Sequence, residues 1–160
     1  MATLKAPRIR YLGKIAGLKV YLVSGRQVRN ELDIDFTMGG NEAVYPSYVP
    51  RGEIWIDDAA DALDRTATCL HEIVERHQMM KNGLSYDAAH EIASAHERPF
   101  RRELARRPPK TFDAGKVSAA YRAYLRAPTR YPIIDRPNDN LPSRSQKLQR
   151  DIEAAIGRKV

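Results

Sequence analysis

The hydrophobic rhythm of this chain changes near Ala60, from a spacing of two residues to spacings of three and four. A period of two puts alternate side chains on opposite faces of a strand, whereas steps of three and four line one face of a helix. Residues 17–24 (Gly-Leu-Lys-Val-Tyr-Leu-Val-Ser) are apolar and β-branched and predict a strand ended by Gly25. Over 31–37, Leu32, Ile34 and Phe36 alternate with Asp33, Asp35 and Thr37, which predicts a half-buried strand stopped by Gly39-Gly40. The stretch 41–52, with Pro46, Pro50 and Gly52, reads as a loop, and Glu53-Ile54-Trp55-Ile56-Asp57 as a short third strand.

Beyond Ala60, the positions of Leu63, Ala67, Leu70, Ile73, Val74, His77 and Met80 predict an amphipathic helix, capped by Asp61 or Asp64 and ended at Lys81-Asn82-Gly83. Ser85 is the expected N-cap of a second helix, with Ala88, Ala89, Ile92, Ala93 and Ala95 on its apolar face and Pro99 ending or kinking it. So short a link predicts an antiparallel helical hairpin. After Pro108-Pro109, residues 114–126 predict a third helix burying Val117, Ala120, Tyr121, Tyr124 and Leu125. Pro128, Pro132, Pro137 and Pro142 mark a linker, and 145–156 a last helix with Leu148, Ile152, Ala155 and Ile156 in a stripe. The expected class is therefore α+β: a small, mainly antiparallel sheet packed on a helical hairpin, with additional C-terminal helices. One domain over 1–126 would precede the Pro-rich linker and C-terminal helix of 127–160.

A chain of 160 residues suits a single core. No apolar run approaches the ~18–20 residues of a membrane span, so no membrane partner is expected. The basic start lacks the apolar block of ~7–15 residues that a secretory signal needs. Cys69 is the single cysteine, which excludes an intrachain disulfide and a multi-cysteine zinc site and fits a reducing, cytoplasmic setting. The net charge is +7, yet residues 31–97 hold fourteen acids and four bases, while residues 1–30 hold seven bases and no acid. An acidic centre suits a cation and repels phosphate. Nucleic acid, held by the basic flanks, is the less favoured partner. The run Arg98, Arg101, Arg102, Arg106, Arg107 and Lys110 reads as a solvated helix face, with Arg101 pairing Glu97 at i+4, since no nucleic-acid motif accompanies it.

All four histidines, His71, His77, His90 and His96, fall in that acidic centre. On a helix His71 and Glu75 share a face, and Glu72 stands ~100° round from His71. This is the layout of the His-Glu-x-x-His zinc motif with Glu75 in place of the second histidine. Zinc accepts imidazole nitrogen or carboxylate oxygen at ~2.0–2.2 Å, and a catalytic site wants three protein ligands and one open position. His90, which the hairpin brings back alongside the first helix, is the expected third ligand; Glu91 is a weaker alternative. Glu97 either orients a ligand from behind or is a fourth ligand. His77 and His96 lie on other faces and read as structural, and Cys69 as a small packed group. Gly39-Gly40 reads as a tight turn or a close approach to the site, and Asp57-Asp58 as facing solvent or capping a helix, with metal ligation a lesser option.

His71-Glu72-x-x-Glu75 on a helix after the strand Glu53-Ile54-Trp55-Ile56-Asp57 is similar to the layout of zincin metallopeptidases. In that family the motif Glu is the general base, which implies that role for Glu72. A third ligand on a following helix resembles the gluzincin branch, which uses a second motif His and a downstream Glu where this chain has Glu75 and His90. The set Phe36-Thr37-Met38-Gly39-Gly40, Trp55-Ile56-Asp57-Asp58, His71-Glu72-x-x-Glu75-Arg76 and Tyr86-Asp87-x-x-His90-x-x-Ala93-x-x-x-Glu97 resembles small phage and prokaryotic proteins of no established activity, over roughly residues 18–102. The expectation is a zinc-dependent hydrolase, with Zn2+ or another divalent metal, acting on a peptide or protein received at the sheet edge near Trp55. A metal-stabilised structural or interaction protein without turnover is the alternative, and a nucleic-acid-binding protein the third reading.

Overall fold

The computed structural model describes residues 7–126. The order of elements is β1 (Arg8–Ile15), β2 (Leu18–Val23), α1 (Gly25–Glu31), β3 (Gly39–Asn41), β4 (Glu53–Asp57), α2 (Ala62–Lys81), α3 (Tyr86–Arg106) and α4 (Ala114–Arg126). The strands form one sheet in the order β1-β2-β4-β3. Its outer pairs, β1–β2 and β3–β4, are antiparallel, and the central pair, β2–β4, is parallel. The fold is α+β, with a mostly antiparallel sheet under a layer of helices. No helix among the described residues is long and apolar enough to cross a membrane.

Local chemistry sets most of these boundaries. Ile15 pairs with Leu18, and the two residues between them, Ala16 (φ 52°) and Gly17 (φ 79°), both take positive φ. That is the two-residue hairpin turn whose twist matches the strands it joins. Alternation along β2 turns Leu18, Val20 and Leu22 toward the helices, where they meet Ile54, Ile56, Leu70, Ile73 and Val74 in the main core. Asp61 caps α2 by accepting from the Asp64 amide at 2.8 Å, and Ser85 caps α3 by accepting from the Ala88 amide at 3.3 Å. Between them Gly83, at φ 65°, makes the left-handed turn that ends α2. The hairpin of α2 and α3 is thus in place.

Four expectations are corrected. Residues 31–37 are not a strand: Leu32 and Ile34 are exposed and Phe36 alone is buried, in the aromatic cluster with Tyr45 and Trp55. Alternation marks a strand only where one face is buried, and here it is not. Gly39-Gly40 does not stop a strand but forms one, β3, paired with β4. Pro99 does not end α3, which runs on to Arg106. Phe100 and Leu104 are buried beyond Pro99, and Arg101 reaches back to Glu97 and across to Asp64 on α2. Those contacts offset the roughly 3 kcal/mol that an interior proline costs. Asp57 does not face solvent: it is buried and paired with Arg29 of α1 at 2.7 Å, while the exposed Asp58 accepts from the Gly25 amide at the start of α1. On α4, Val117 and Tyr124 are buried, Ala120 and Tyr121 half-buried, and Leu125 exposed. The expected linker and helix of 127–160 lie outside the described residues.

Candidate metal centre

Helix α2 buries two stripes of opposite character. Ala67, Leu70, Ile73 and Val74 enter the main core, whereas Thr68, His71, Glu72 and Glu75 are buried beside them. Spacings of three, four and seven keep the second stripe on one face. Two carboxylates and an imidazole removed from water carry a large desolvation cost unless they find partners, and the partners define the site.

Two of them, His71 and Glu75, meet a third donor from α3. His71 Nε2 lies 3.2 Å from Glu75 Oε2 and 3.1 Å from His90 Nδ1, and His90 Nδ1 lies 2.9 Å from the same Glu75 oxygen. Three donor atoms from α2 and α3 therefore form a nearly equilateral triangle. Tetrahedral bonds of ~2.0–2.2 Å would set such edges at roughly 3.3–3.6 Å, so a small widening separates this triangle from one closed around a zinc-sized ion. His71, Glu75 and His90 also form the metal-competent cluster found among the described residues.

Glu97 takes the opposite nitrogen of His71. Its Oε1 stands 2.8 Å from Nδ1, although off the line of a good hydrogen bond, and its other oxygen accepts from Arg101 at 2.9 and 3.1 Å. It sits behind the ring, on the side away from the three donor atoms. Glu91 is exposed and does not line the cavity, so the arrangement does not bring it to the cluster.

Glu72 is buried next to the triangle. Its Oε2 accepts from Asn41 Nδ2 at 2.8 Å, and the same amide nitrogen reaches Glu75 Oε1 at 3.2 Å. Asn41 is itself fixed, since its Oδ1 accepts from the amides of Ala43 and Val44. Sequence reasoning missed Asn41, which sits thirty residues upstream on β3 with no spacing relation to α2. Gly39 explains how β3 comes so near: a Cβ there would lie 2.8 Å from Thr68 Cγ2, 2.9 Å from the Trp55 carbonyl and 3.3 Å from Glu72 Cγ. The close-approach reading of Gly39 holds, and β3 is the sheet strand that borders the site.

These neighbours set the charges. Burial by itself would lower the His71 pKa, but the close carboxylates of Glu75 and Glu97 and the charge of Glu72 overcome it and raise it to about 10. Burial also works against ionisation of Glu75, yet the two imidazoles win and hold it below the ordinary carboxylate value. Glu72 has no such cation in contact; burial first, and then the charge of Glu75, push it up. The two neighbouring carboxylates are thus driven apart in acidity, one fixed as an anion and one inclined to hold a proton near neutrality. Pairs separated in this way suit distinct ligand and acid–base roles.

A cavity of about 280 Å³ opens onto the cluster, bordered by Thr37, Met38, Gly39, Tyr45 and Tyr86 besides the donors. The Tyr86 hydroxyl is 3.4 Å from His90 Nδ1. The segment that carries Tyr45 is fastened to α2 through Glu42, which accepts from Arg76 Nε at 2.9 Å. His77 and His96 are elsewhere, against Tyr124 of α4, as structural residues: His77 Nδ1 is 2.7 Å from the Tyr124 hydroxyl. Cys69 is fully buried, and burial pushes its thiol pKa up, away from reactivity. No protein-family model, curated protein or solved structure matches the chain.

Proposed function

We propose that the chain is a metal-dependent hydrolase of zincin-like design, in which His71, Glu75 and His90 hold a zinc or similar divalent ion and Glu72 is the general base. The observation that carries this reading is the triangle of donor atoms with edges of 2.9–3.2 Å, opening onto a cavity that Glu72 also lines. Two nitrogens and one carboxylate oxygen form a donor set that zinc accepts, and three protein ligands leave one position open. When bound, zinc would bring the pKa of a coordinated water toward ~7. Glu72, its carboxylate aimed by Asn41, takes the proton from the attacking water and delivers it to the leaving amine. Glu97 fixes the ring of His71, and Arg101 in turn fixes Glu97.

The charges favour an amide over a phosphate ester as substrate. Glu72, Glu75 and Glu97 face the cavity, and the cation of Arg101 is already engaged by Glu97 and Asp64. An anionic substrate would meet three carboxylates and no free arginine among the lining residues. The expected peptide edge near Trp55 is corrected: β4 is internal to the sheet, between β2 and β3, and Trp55 is buried with its indole donating to Glu53. An extended peptide would lie along Thr37, Met38 and Gly39, where the cavity meets β3.

Glu72→Gln is the test, on protein saturated with zinc and assayed on a mixed peptide library. The expected result is unchanged zinc content with turnover reduced by ~10²–10⁴-fold. Zinc retained by a double His71→Ala/His90→Ala variant would remove the ligand set. Wild-type zinc binding with no hydrolysis, unaltered by Glu72→Gln, would favour the second reading, a metal-stabilised structural protein. The hold of Asn41 on both Glu72 and Glu75 supports that reading, because it rigidifies the site as a purely structural centre would require.

A further inference from the structure

The described residues cover the face of the sheet turned away from the helices over only part of its width. Above β4 sits the aromatic cluster of Phe36, Tyr45, Val49 and Trp55, closed by Val23 and Val28. Above β1 the described residues leave the same face open: Tyr11 is 51% exposed. Cross-strand partners share a face, so Tyr11 lies beside Tyr21 and Lys14 beside Lys19. Lys19 and Tyr21, two residues apart on β2, point the same way. The Tyr11 and Tyr21 rings are 5.4 Å apart, and the Arg8 guanidinium lies 5.1 Å from the centre of the Tyr21 ring.

Cations outnumber available anions here. Glu53, on this side of β4, is buried and engaged by Arg8 at 2.6 Å and by the Trp55 indole at 2.8 Å. Asp57 is engaged by Arg29. Neither Lys14 nor Lys19 has an ion-pair partner among the described residues. Nothing in residues 1–30 opposes their seven positive charges.

We propose that this open half of the sheet binds single-stranded nucleic acid, with an unpaired base stacked on Tyr11 and phosphates held by Lys14 and Lys19. A flat sheet surface with exposed rings suits unpaired bases, whose faces a duplex keeps stacked inside, and flanking cations suit the backbone. A lipid surface would call for a broad apolar face, which lysines and an ion-paired arginine interrupt. The platform is at the β1 edge, opposite the β3 edge that borders the candidate metal centre. It does not depend on the proposed hydrolase.

The experiment is fluorescence anisotropy of the full chain with a short labelled thymidine oligonucleotide, at low salt and at about fourfold higher salt. Two phosphate contacts, at a slope of ~0.7 per contact, predict roughly a sevenfold loss of affinity over that range. The Lys14→Glu/Lys19→Glu variant should bind at least about tenfold more weakly, and Tyr11→Ala at least about fivefold more weakly. Tyr11→Phe, which keeps the ring, should bind as wild type. All three positions are exposed, and circular dichroism checks that each variant is folded. Absence of binding at low salt, binding unchanged by the lysine and Tyr11→Ala substitutions, or binding to phosphatidylserine vesicles without binding to the oligonucleotide would each overturn the proposal. Zinc content and Glu72→Gln should leave the affinity unchanged.

Discussion

Helices α2 and α3 each carry two histidines six residues apart, His71 and His77 on one, His90 and His96 on the other. Six residues turn a helix about 120° away from its starting face, so the two pairs serve different neighbours. His71 and His90 meet Glu75 and Glu97 on the side of the hairpin that faces the cavity. His77 and His96 meet the rings of Tyr121 and Tyr124 on the side that receives α4. The residue type is the same and the chemistry is not. Carboxylates around the first pair make it a set of converging anionic and nitrogen donors, while phenol rings around the second make it an aromatic packing unit. Burial, Lys81 and Arg76 lower the pKa of His77, whereas the carboxylates raise that of His71.

Removing donors should give the largest contrast. Losing one of three ligands from a site of the strength structural zinc reaches, ~10–16 kcal/mol, predicts a loss on the order of a thousandfold in zinc affinity for His71→Ala or His90→Ala. Competition titration against a chelator measures it, and His77→Ala and His96→Ala should bind zinc as wild type. Equal losses in both pairs would erase the distinction.

The converse contrast is stability. Tyr124 is 2% exposed and is contacted by His77, Gln78 and His96, so Tyr124→Ala should cost about 3–5 kcal/mol in denaturant unfolding and leave zinc stoichiometry intact. Tyr124→Phe, which removes the hydroxyl alone, should cost about 1 kcal/mol. Asn41→Ala belongs to the first region: freeing Glu72 and Glu75 from their shared donor should weaken zinc binding by ~10-fold or more with the three ligands still present.

The pH dependence of chelator-treated protein separates the pairs by sign. A histidine whose folded pKa is raised stabilises the fold below its ordinary value and loses that contribution as pH rises. His71 should therefore make thermal stability fall between about 6.5 and about 10, and His71→Gln should flatten that limb. His77, with its pKa lowered, acts the other way: its contribution is present above about 6.5 and fades as pH falls, an effect His77→Gln should remove. Because His77 is partly open to solvent, this last slope is the smallest expected change.

The helices were legible because they carry their own evidence. The apolar steps of α2, the serine before α3 and the glycine between them are local signals, and the three proposed ligands follow from a four-residue spacing plus one turn. Parts of the sheet were not. β1 has one face open and bulges on both sides of its Arg10–Tyr11 pairings, so its sequence shows no clean alternation. α1, at seven residues, is too short to display a helical period, and its start depends on Gly25, where a Cβ would strike the Asp57 carboxylate. β3 reads as a break because two of its three residues are glycines, which are there to let α2 and Tyr45 come close. For the same reason Asn41 was invisible: its importance lies in what packs against it, and nothing near it in sequence reports that.

The proposed ligands all come from one pair of helices joined by residues 82–85. Closing so small a loop carries a modest entropic cost, so their meeting is a short-range event, of the kind that is fast in chain assembly. Asn41 and the Gly39 strand join from far upstream and belong to the slower, long-range stage. An ion captured by the hairpin would therefore already be in place when the sheet edge arrives to enclose it.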